Sequence, residues 1–507
     1  MSSPLTLQML ARSSLLKNEA LAISALNMLP MELFPPLFKD AFKGKQTNIL
    51  SAMVAAWPFR CLPVGALMKF HDLEILKAVL DGLDLLIQQK DRPSRSCKLE
   101  VLDFRDAHHN FWNVWAGTED GVCSPDVIRE TQPVVHHPER QGKVVVTVMM
   151  NLSLKSRHLC KCLKYFCWWA QQRKDVLQVI CEKLEFGARP FYNPLELLEV
   201  FEPCCIQDLE VNAHWDLRTL AMLAPGLGQM KNLQKLRIKK IFMPLHSFWN
   251  QEMKQQCFRQ IIFQFSQLNK LQHLYLNCVF FLNARLDQVL RNLHSPLETL
   301  AITRCALSES DMSYLSQCPN VHRLTHLDLS DVTFLNLSHP LLERLLERLT
   351  ATLQILKLKG CMLMDFQIDV ILPALSQCCQ LVKVNFMKNF LSLTSLKKLL
   401  QHTANLTQLT LEMYPAPDEV YDDIGDVLPD RFNQCCSELL ETLRAVRQPK
   451  EVYFVSKKCL DCRGFCVYYQ KNAQLTPPQH FSTYACVFVL SHLTDPDSLK
   501  DVQVLKS

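Results

Sequence analysis

Leu297-Glu-Thr-Leu300-Ala-Ile302-Thr-Arg-Cys305, Leu324-Thr-His-Leu327-Asp-Leu329-Ser-Asp-Val332, Leu353-Gln-Ile-Leu356-Lys-Leu358-Lys-Gly-Cys361, Leu381-Val-Lys-Val384-Asn-Phe386-Met-Lys-Asn389 and Leu406-Thr-Gln-Leu409-Thr-Leu411-Glu-Met-Tyr414 are five copies of one phrase. Their first leucines, at 297, 324, 353, 381 and 406, lie 27, 29, 28 and 25 residues apart. The pattern L-x-x-L-x-L-x-x-(C/N)-x-L at that period marks a leucine-rich repeat. Apolar residues at the fourth and sixth places alternate with others, so a short strand sends both into one core. The ninth place is expected to turn the chain off the strand. A helix then returns it: Leu341, Leu342, Leu345, Leu346 and Leu349 recur at i, i+3/i+4 spacing, and Ile371, Leu372, Leu375 and Cys379 do so one copy later. No copy can bury its face alone, so neighbours must stack.

Outward from these copies the formula weakens but persists. Leu271-x-x-Leu274-x-Leu276, Leu233-x-x-Leu236-x-Ile238, Ile206-x-x-Leu209-x-Val211 and Leu99-x-x-Leu102-x-Phe104 carry it toward the N-terminus. Val144–Val148 and Val176–Ile180 are β-prone, with Leu159, Leu163, Phe166 and Trp169 on the buried side of a helix between them. About a dozen strands are expected. Gly117 to Lys143 reads as an exposed loop, and its adjacent His136 and His137 as solvated side chains without further metal ligands nearby. The expected fold class is α/β: a leucine-rich-repeat solenoid, a horseshoe of ribonuclease-inhibitor type, with an N-terminal helical cap. Residues 1–95 form the helical region, 96–430 the solenoid and 431–507 a C-terminal cap with a divergent tail.

With 507 residues and 48% hydrophobic content the chain can bury a large core, and a formal charge of +5 is too weak to imply nucleic acid. The 12 glycines argue against phosphate-cradling loops. The 22 cysteines include Cys305 and Cys361 at repeat turns, where a small buried thiol fits, and Cys318, Cys378 and Cys379 at the ends of repeat helices, a placement that argues against a disulfide framework. The opening MSSPLTLQML has no apolar run of signal-peptide length, and no segment approaches 18 uninterrupted apolar residues. The expectation is a soluble, reduced, cytoplasmic or nuclear protein with no membrane partner.

The first 90 residues hold no repeat strand. Ser3-Pro4 is expected to start a helix running to about Leu16, with Leu7, Ala11 and Leu15 on one face, and Asn18 to cap a second helix. The prolines of Leu29-Pro30-Met-Glu-Leu33-Phe-Pro-Pro-Leu37 restart helices rather than continue them. SLLKNEALAISALNMLPMELFPPLF, AMVAAWPFRCLPVGALMK, LKAVLDGLDLL, KLEVLDFRDAHHNFW, LDQVLRNLHSPLETL, LEMYPAPDE and VRQPKEVYF closely resemble the PRAME family (preferentially expressed antigen in melanoma), over roughly Leu7 to Cys462.

That resemblance implies a substrate receptor of cullin-2-type cullin-RING ubiquitin ligases, bound through elongin B and elongin C. It also implies germ-cell or early-embryo expression and influence on proliferation, differentiation and transcription. Thr6-Leu7-Gln-Met-Leu-Ala11-Arg-Ser-Ser-Leu15 resembles the elongin-binding box, with Ala11 where the family pattern has Cys. Leu29, Pro30, Leu33 and Leu37 fill every place of the cullin box. Leu7 and Leu15 could enter a partner's groove while Ala11 lets backbones approach. The competing reading makes this helix merely the solenoid's cap.

The strand residues that alternate with the buried ones are expected on a concave, substrate-reading face. They include Arg237, Lys239, Arg304, Asp328, Lys357, Lys359, Asn385 and Lys388. They suit a protein substrate, or they simply solvate the face; interleaved aromatics for nucleic acid are lacking. Leu342-Glu-Arg-Leu345-Leu346 and Leu396-Lys-Lys-Leu399-Leu400 match the nuclear-receptor box L-x-x-L-L, which would suit a corepressor scaffold, but the solenoid needs those leucines for its core. Cys459-Leu-Asp-Cys462 is a knuckle for a structural zinc, with Cys466, His480 and Cys486 as further candidates in a tail that lacks a second pair. Otherwise no cofactor is expected. No G-x-S-x-G, phosphate loop or H-E-x-x-H is present, so a non-catalytic adaptor is expected.

Overall fold

A computed structural model describes residues 6–68, 72–88, 97–116, 146–212, 215–241, 250–338, 340–457, 465–471 and 474–481. The chain divides into two compact units, Met1–Leu209 with Pro225–Met230, and Glu210–Ala224 with Lys231–Ser507. The loop expected from Gly117 to Lys143, with His136 and His137, lies outside the described residues, as do Ser3 and Pro4.

The first unit begins with α1 (Leu7–Leu16), α2 (Glu19–Ala25), α3 (Phe34–Lys43) and α4 (Thr47–Ala55). The N-cap of α1 is Thr6, whose Oγ1 accepts from the Met9 amide at 3.2 Å, so the helix starts later than Ser3-Pro4 suggested. Asn18 caps α2 as expected, its Oδ1 accepting from the Leu21 amide at 3.1 Å. β1 (Cys61–Leu62), α5 (Leu73–Gln88), β2 (Val101–Asp103), α6 (His109–Ala116), β3 (Val146–Leu154) and β4 (Leu177–Phe186) follow. The four strands run parallel, with Leu62, Leu102, Val148 and Val179 in one row. Fully buried Trp57 has five ring neighbours, Phe34, Phe38, Phe59, Phe111 and Trp112, at centroid distances of 5.4–6.4 Å. Its indole donates to the Cys61 carbonyl at 2.9 Å, so the largest apolar body in this core carries no orphaned polar tip.

The second unit takes most of β5 (Asp208–Asn212), then β6 (Lys235–Ile241), β7 (His273–Val279), β8 (Thr299–Thr303), β9 (His326–Asp328), β10 (Ile355–Lys357), β11 (Lys383–Asn385), β12 (Leu411–Pro415) and β13 (Glu451–Val455). From β6 to β13 each strand pairs in parallel with the next. β14 (Phe465–Lys471) and β15 (Gln474–Phe481) close the sheet antiparallel. Leu236, Leu274, Leu300, Leu327, Leu356 and Val384 stand in register, one per repeat, and all are buried. Parallel strands joined by helices at this period are the leucine-rich-repeat fold.

The turn off each strand is made one place earlier than the phrase suggests. The eighth-place residues Lys240, Cys278, Arg304, Asp331, Gly360 and Lys388 all adopt left-handed φ, between 53° and 67°. At Gly360 the space is also closed, since a Cβ would lie 2.4 Å from Asp331 Oδ1. The ninth-place residues Cys305, Val332, Cys361 and Asn389 turn inward and are buried. Asn389 closes its turn with four bonds. Its Oδ1 accepts from the amides of Cys361 (3.0 Å) and Leu363 (3.1 Å), and its Nδ2 donates to the carbonyls of Leu358 (2.8 Å) and Phe386 (2.7 Å). Asn389→Ala orphans two buried donors and should lower unfolding free energy by about 2 kcal/mol, measured by urea titration.

The last copy corrects the sequence reading. β11 pairs with β12 so that Val384 lies opposite Glu412, not Leu409. Leu409, Glu412 and Tyr414 therefore hold the first, fourth and sixth places, and the repeat starting at 381 is followed by one at 409, 28 residues on. Phe386, Tyr414 and Phe454 stack in successive sixth places at 6.2 and 5.9 Å. A carboxylate thus occupies a leucine position with 0% exposure. Arg447 neutralises it, Nη1 donating to Glu412 Oε1 at 2.7 Å and Nη2 to Oε2, while the Tyr414 hydroxyl donates to Oε2 at 2.8 Å. Arg447 Nε also donates to the Thr403 carbonyl at 3.0 Å.

Among the described residues no helix is long and apolar enough to cross a membrane. Leu342, Leu345, Leu346, Leu396, Leu399 and Leu400 are all buried, so neither L-x-x-L-L copy presents its leucines to a receptor.

Candidate functional site: an exposed apolar helix and a charged strand face

In the first unit, α1 has no buried residue. Its leading residue Leu7 is 87% exposed, Met9 and Leu10 are exposed beside it, and Ala11 is open to solvent. Leu15 is half-buried. Polar contacts tether the helix: Arg12 Nε meets Asp40 Oδ2 at 3.0 Å, and Gln46 Nε2 donates to the Leu16 carbonyl at 2.8 Å. An amphipathic cap would turn its leucines inward against the fold. Here Leu7, Met9 and Leu10 at the leading end of α1 are exposed instead.

Beyond α1, Leu29 is half-buried, Pro30 exposed and Leu33 half-buried. Leu37 is 0% exposed, within the buried run Phe34–Phe38 of α3, so its side chain is closed to outside contact. Sequence spacing missed Met28, which is 83% exposed and belongs to no box.

In the second unit the strand face opposite the leucine core carries several of the residues expected there, held in ion pairs with acidic neighbours. Lys239 Nζ lies 2.9 Å and Arg237 3.8 Å from Glu210, Lys357 lies 3.6 Å from Asp328, and Arg304 lies 3.3 Å from Asp331. Arg304 and Lys388 are exposed on the left-handed turns rather than within strands. Lys359 is half-buried, and burial, with Lys388 nearby, pulls its ammonium pKa down. Two expected contacts fail. Asn385 is 3% exposed and spends its Oδ1 on the Met387 amide at 3.1 Å. Arg237 is 9% exposed, its guanidinium 5.3 Å from the centroid of Tyr275, an aromatic the sequence reading passed over.

The same face changes character toward its end. Met387, Leu411, Met413, Tyr453, Val455 and Val467 form a second apolar cluster, with Phe465 and Tyr469 against it. A charged stretch over β6–β10 thus gives way to an apolar one over β11–β14. A cleft of about 280 Å³ opens among Gln234, Asn269, Lys270, Gln272, Ser295, Glu298 and Arg323.

Cys459 and Cys462 lie outside the described residues, so the knuckle has no geometry to report. The repeat cysteines are core thiols: burial pushes Cys305 up to about 11 and Cys378 up to about 12, and raises Cys361 further.

Residues 3–112 match the family model described as PRAME N-terminal domain, and residues 146–476 match PRAME C-terminal domain. PRAME family member 12 of Homo sapiens is 43% identical over 466 residues, covering 91% of this chain and 95% of that protein. Oogenesin-3 of Mus musculus is 42% identical over 474 residues, 94% of each. Among solved structures, an internalin from Listeria monocytogenes aligns with 47% of this chain and 72% of that chain at 14% identity and a TM-score of 0.26.

Proposed function

Because the chain belongs to the PRAME family, we propose that it is the substrate-recognition adaptor of a cullin-2-type cullin-RING ubiquitin ligase, itself non-catalytic, working in the cytoplasm or nucleus. The observation that carries this reading is the exposure of α1, led by Leu7 at 87%. An exposed amphipathic helix with leucines at i and i+8 and a small residue between them is what a helix-in-groove contact needs. Leu7, Ala11 and Leu15 dock elongin C within its complex with elongin B. Leu29, Pro30 and Leu33 contact the cullin, while Leu37 stays buried. The mixed surface formed by Lys239, Asp328 and Lys357 on the strands, with Lys359, Arg304 and Lys388 just beyond them, selects the protein substrate, and ubiquitin transfer is performed by other subunits. Altered turnover of such substrates would be the route to effects on proliferation, differentiation and transcription.

The two boxes make separable predictions. Leu33 leaves at most about a third of its surface to bury, worth no more than about 1 kcal/mol to a partner, and exposed Pro30 adds apolar area beside it. Pro30→Ala with Leu33→Ala should therefore weaken cullin capture about tenfold in a pull-down with purified components. Elongin capture should stay at the wild-type level. Loss of both captures together would mean that the second box is structural. Deleting residues 1–45 is a poor test of a ligase-free corepressor scaffold, because Phe34 and Phe38 pack on Trp57 and the first core would go with them.

A further inference from the structure

Glu202, Cys204 and Cys205 lie on and beside one 3-10 turn (Pro203–Cys205) in the first unit, and their ligand atoms all fall within 4.8 Å of one another. We propose that this Glu-x-Cys-Cys turn is a binding site for a thiophilic divalent cation, Zn²⁺, held by two thiolates and one carboxylate with the fourth position open. No docking surface is needed for this site, and it stands apart from the adaptor reading.

The geometry supports it in three ways. Tetrahedral zinc with Zn–S near 2.3 Å and Zn–O near 2.0 Å sets an S···O edge of roughly 3.5 Å. Cys205 Sγ already lies 3.7 Å from Glu202 Oε2. The corresponding S···S edge is about 3.8 Å, and exposed Cys204 can rotate to close the remaining gap. The carboxylate is also oriented from behind. Gln178, 3% exposed, donates through Nε2 to Glu202 Oε2 at 3.1 Å, and the Thr147 hydroxyl approaches Gln178 Oε1 at 3.5 Å. A buried amide that aims a carboxylate is the kind of support that metal ligands receive. The backbone is fixed too, since the Glu202 amide donates to the Val179 carbonyl at 3.1 Å and the Cys205 amide to the Glu202 carbonyl at 3.0 Å. Two adjacent sulfurs favour a soft or borderline cation over Mg²⁺ or Ca²⁺. Binding forms two M–S bonds and one M–O bond and releases the two thiol protons to solvent, with no change of oxidation state.

The test uses the full chain, reduced and stripped of metal, titrated with Co²⁺ as a spectroscopic stand-in and then with Zn²⁺. Because Cys459 and Cys462 could bind metal independently, each pair is removed separately. Cys204→Ser with Cys205→Ser should lose one equivalent of tetrahedral, thiolate-coordinated Co²⁺, and Cys459→Ser with Cys462→Ser should keep it. Gln178→Leu should weaken that equivalent about 10- to 100-fold. If the double variant unfolds, the single exposed change Cys204→Ser gives the same readout. Full retention of the thiolate-to-cobalt band in Cys204→Ser, or no such band in the wild-type chain, overturns the proposal.

Discussion

Arg447→Met should cost about 3–5 kcal/mol of stability, the expected result of removing one partner from a buried ion pair. Glu412 occupies a leucine position at 0% exposure, and Arg447 supplies it with two charge-assisted donors. Without them the carboxylate keeps one neutral donor, Tyr414, and must either stay charged in a low-dielectric core or take up a proton. The Thr403 carbonyl loses its guanidinium donor as well. The pair need not stabilise the fold as a whole. Glu412 is flanked in register by Val384 and Val452, so Glu412→Leu together with Arg447→Leu restores a leucine where the repeat formula wants one. That double variant should recover most of the loss, because exchanging a buried pair for apolar residues is often neutral or stabilising. Urea unfolding at neutral pH reads both. An Arg447→Met cost below about 1 kcal/mol would show that Glu412 is neutralised by other means.

Leu7→Asp should lower affinity for the elongin B/elongin C complex by at least 100-fold. Burying Leu7 in a partner's groove is worth about 1.5–3 kcal/mol, and placing a carboxylate there adds a desolvation penalty of several kcal/mol. The sum exceeds the roughly 2.7 kcal/mol that a factor of 100 requires. The fold should not notice, because a side chain 87% exposed contributes little to it, and such surface changes stay within about 0.5 kcal/mol. Binding lost with melting unchanged separates docking from capping, since a cap residue would lose both.

Most of the fold is legible in the chain because the repeat imposes its period wherever leucines recur. Its last copy is not. Leu406, Leu409 and Leu411 satisfy the phrase by chance, and all are buried, while the true fourth place holds a glutamate. A charged residue there makes sense only once Arg447, 35 positions later, is known to reach it. The strand face suffers a related loss. Alternation tells which residues point away from the core, but not that Tyr275 shields Arg237 or that Asn385 turns back on its own backbone. Leu37 fits its box by spacing, yet α3 is apolar enough around it to draw it inside. Glu202, Cys204 and Cys205 drew no notice because their support, Gln178, comes from a strand 24 residues earlier. The cap of α1 falls at Thr6 because its hydroxyl, three residues ahead of Met9, accepts that residue's amide.

The adaptor proposal turns on whether a box with Ala11 in place of cysteine still engages its partner. The decisive measurement is calorimetric titration of the purified chain with elongin B/elongin C, wild type against Leu7→Asp, with the thermal midpoint of each chain recorded in parallel. Stoichiometric binding by the wild type, abolished in a Leu7→Asp chain that melts at the same temperature, is the predicted result. Equal binding by both chains, or none by a folded wild type, would contradict it.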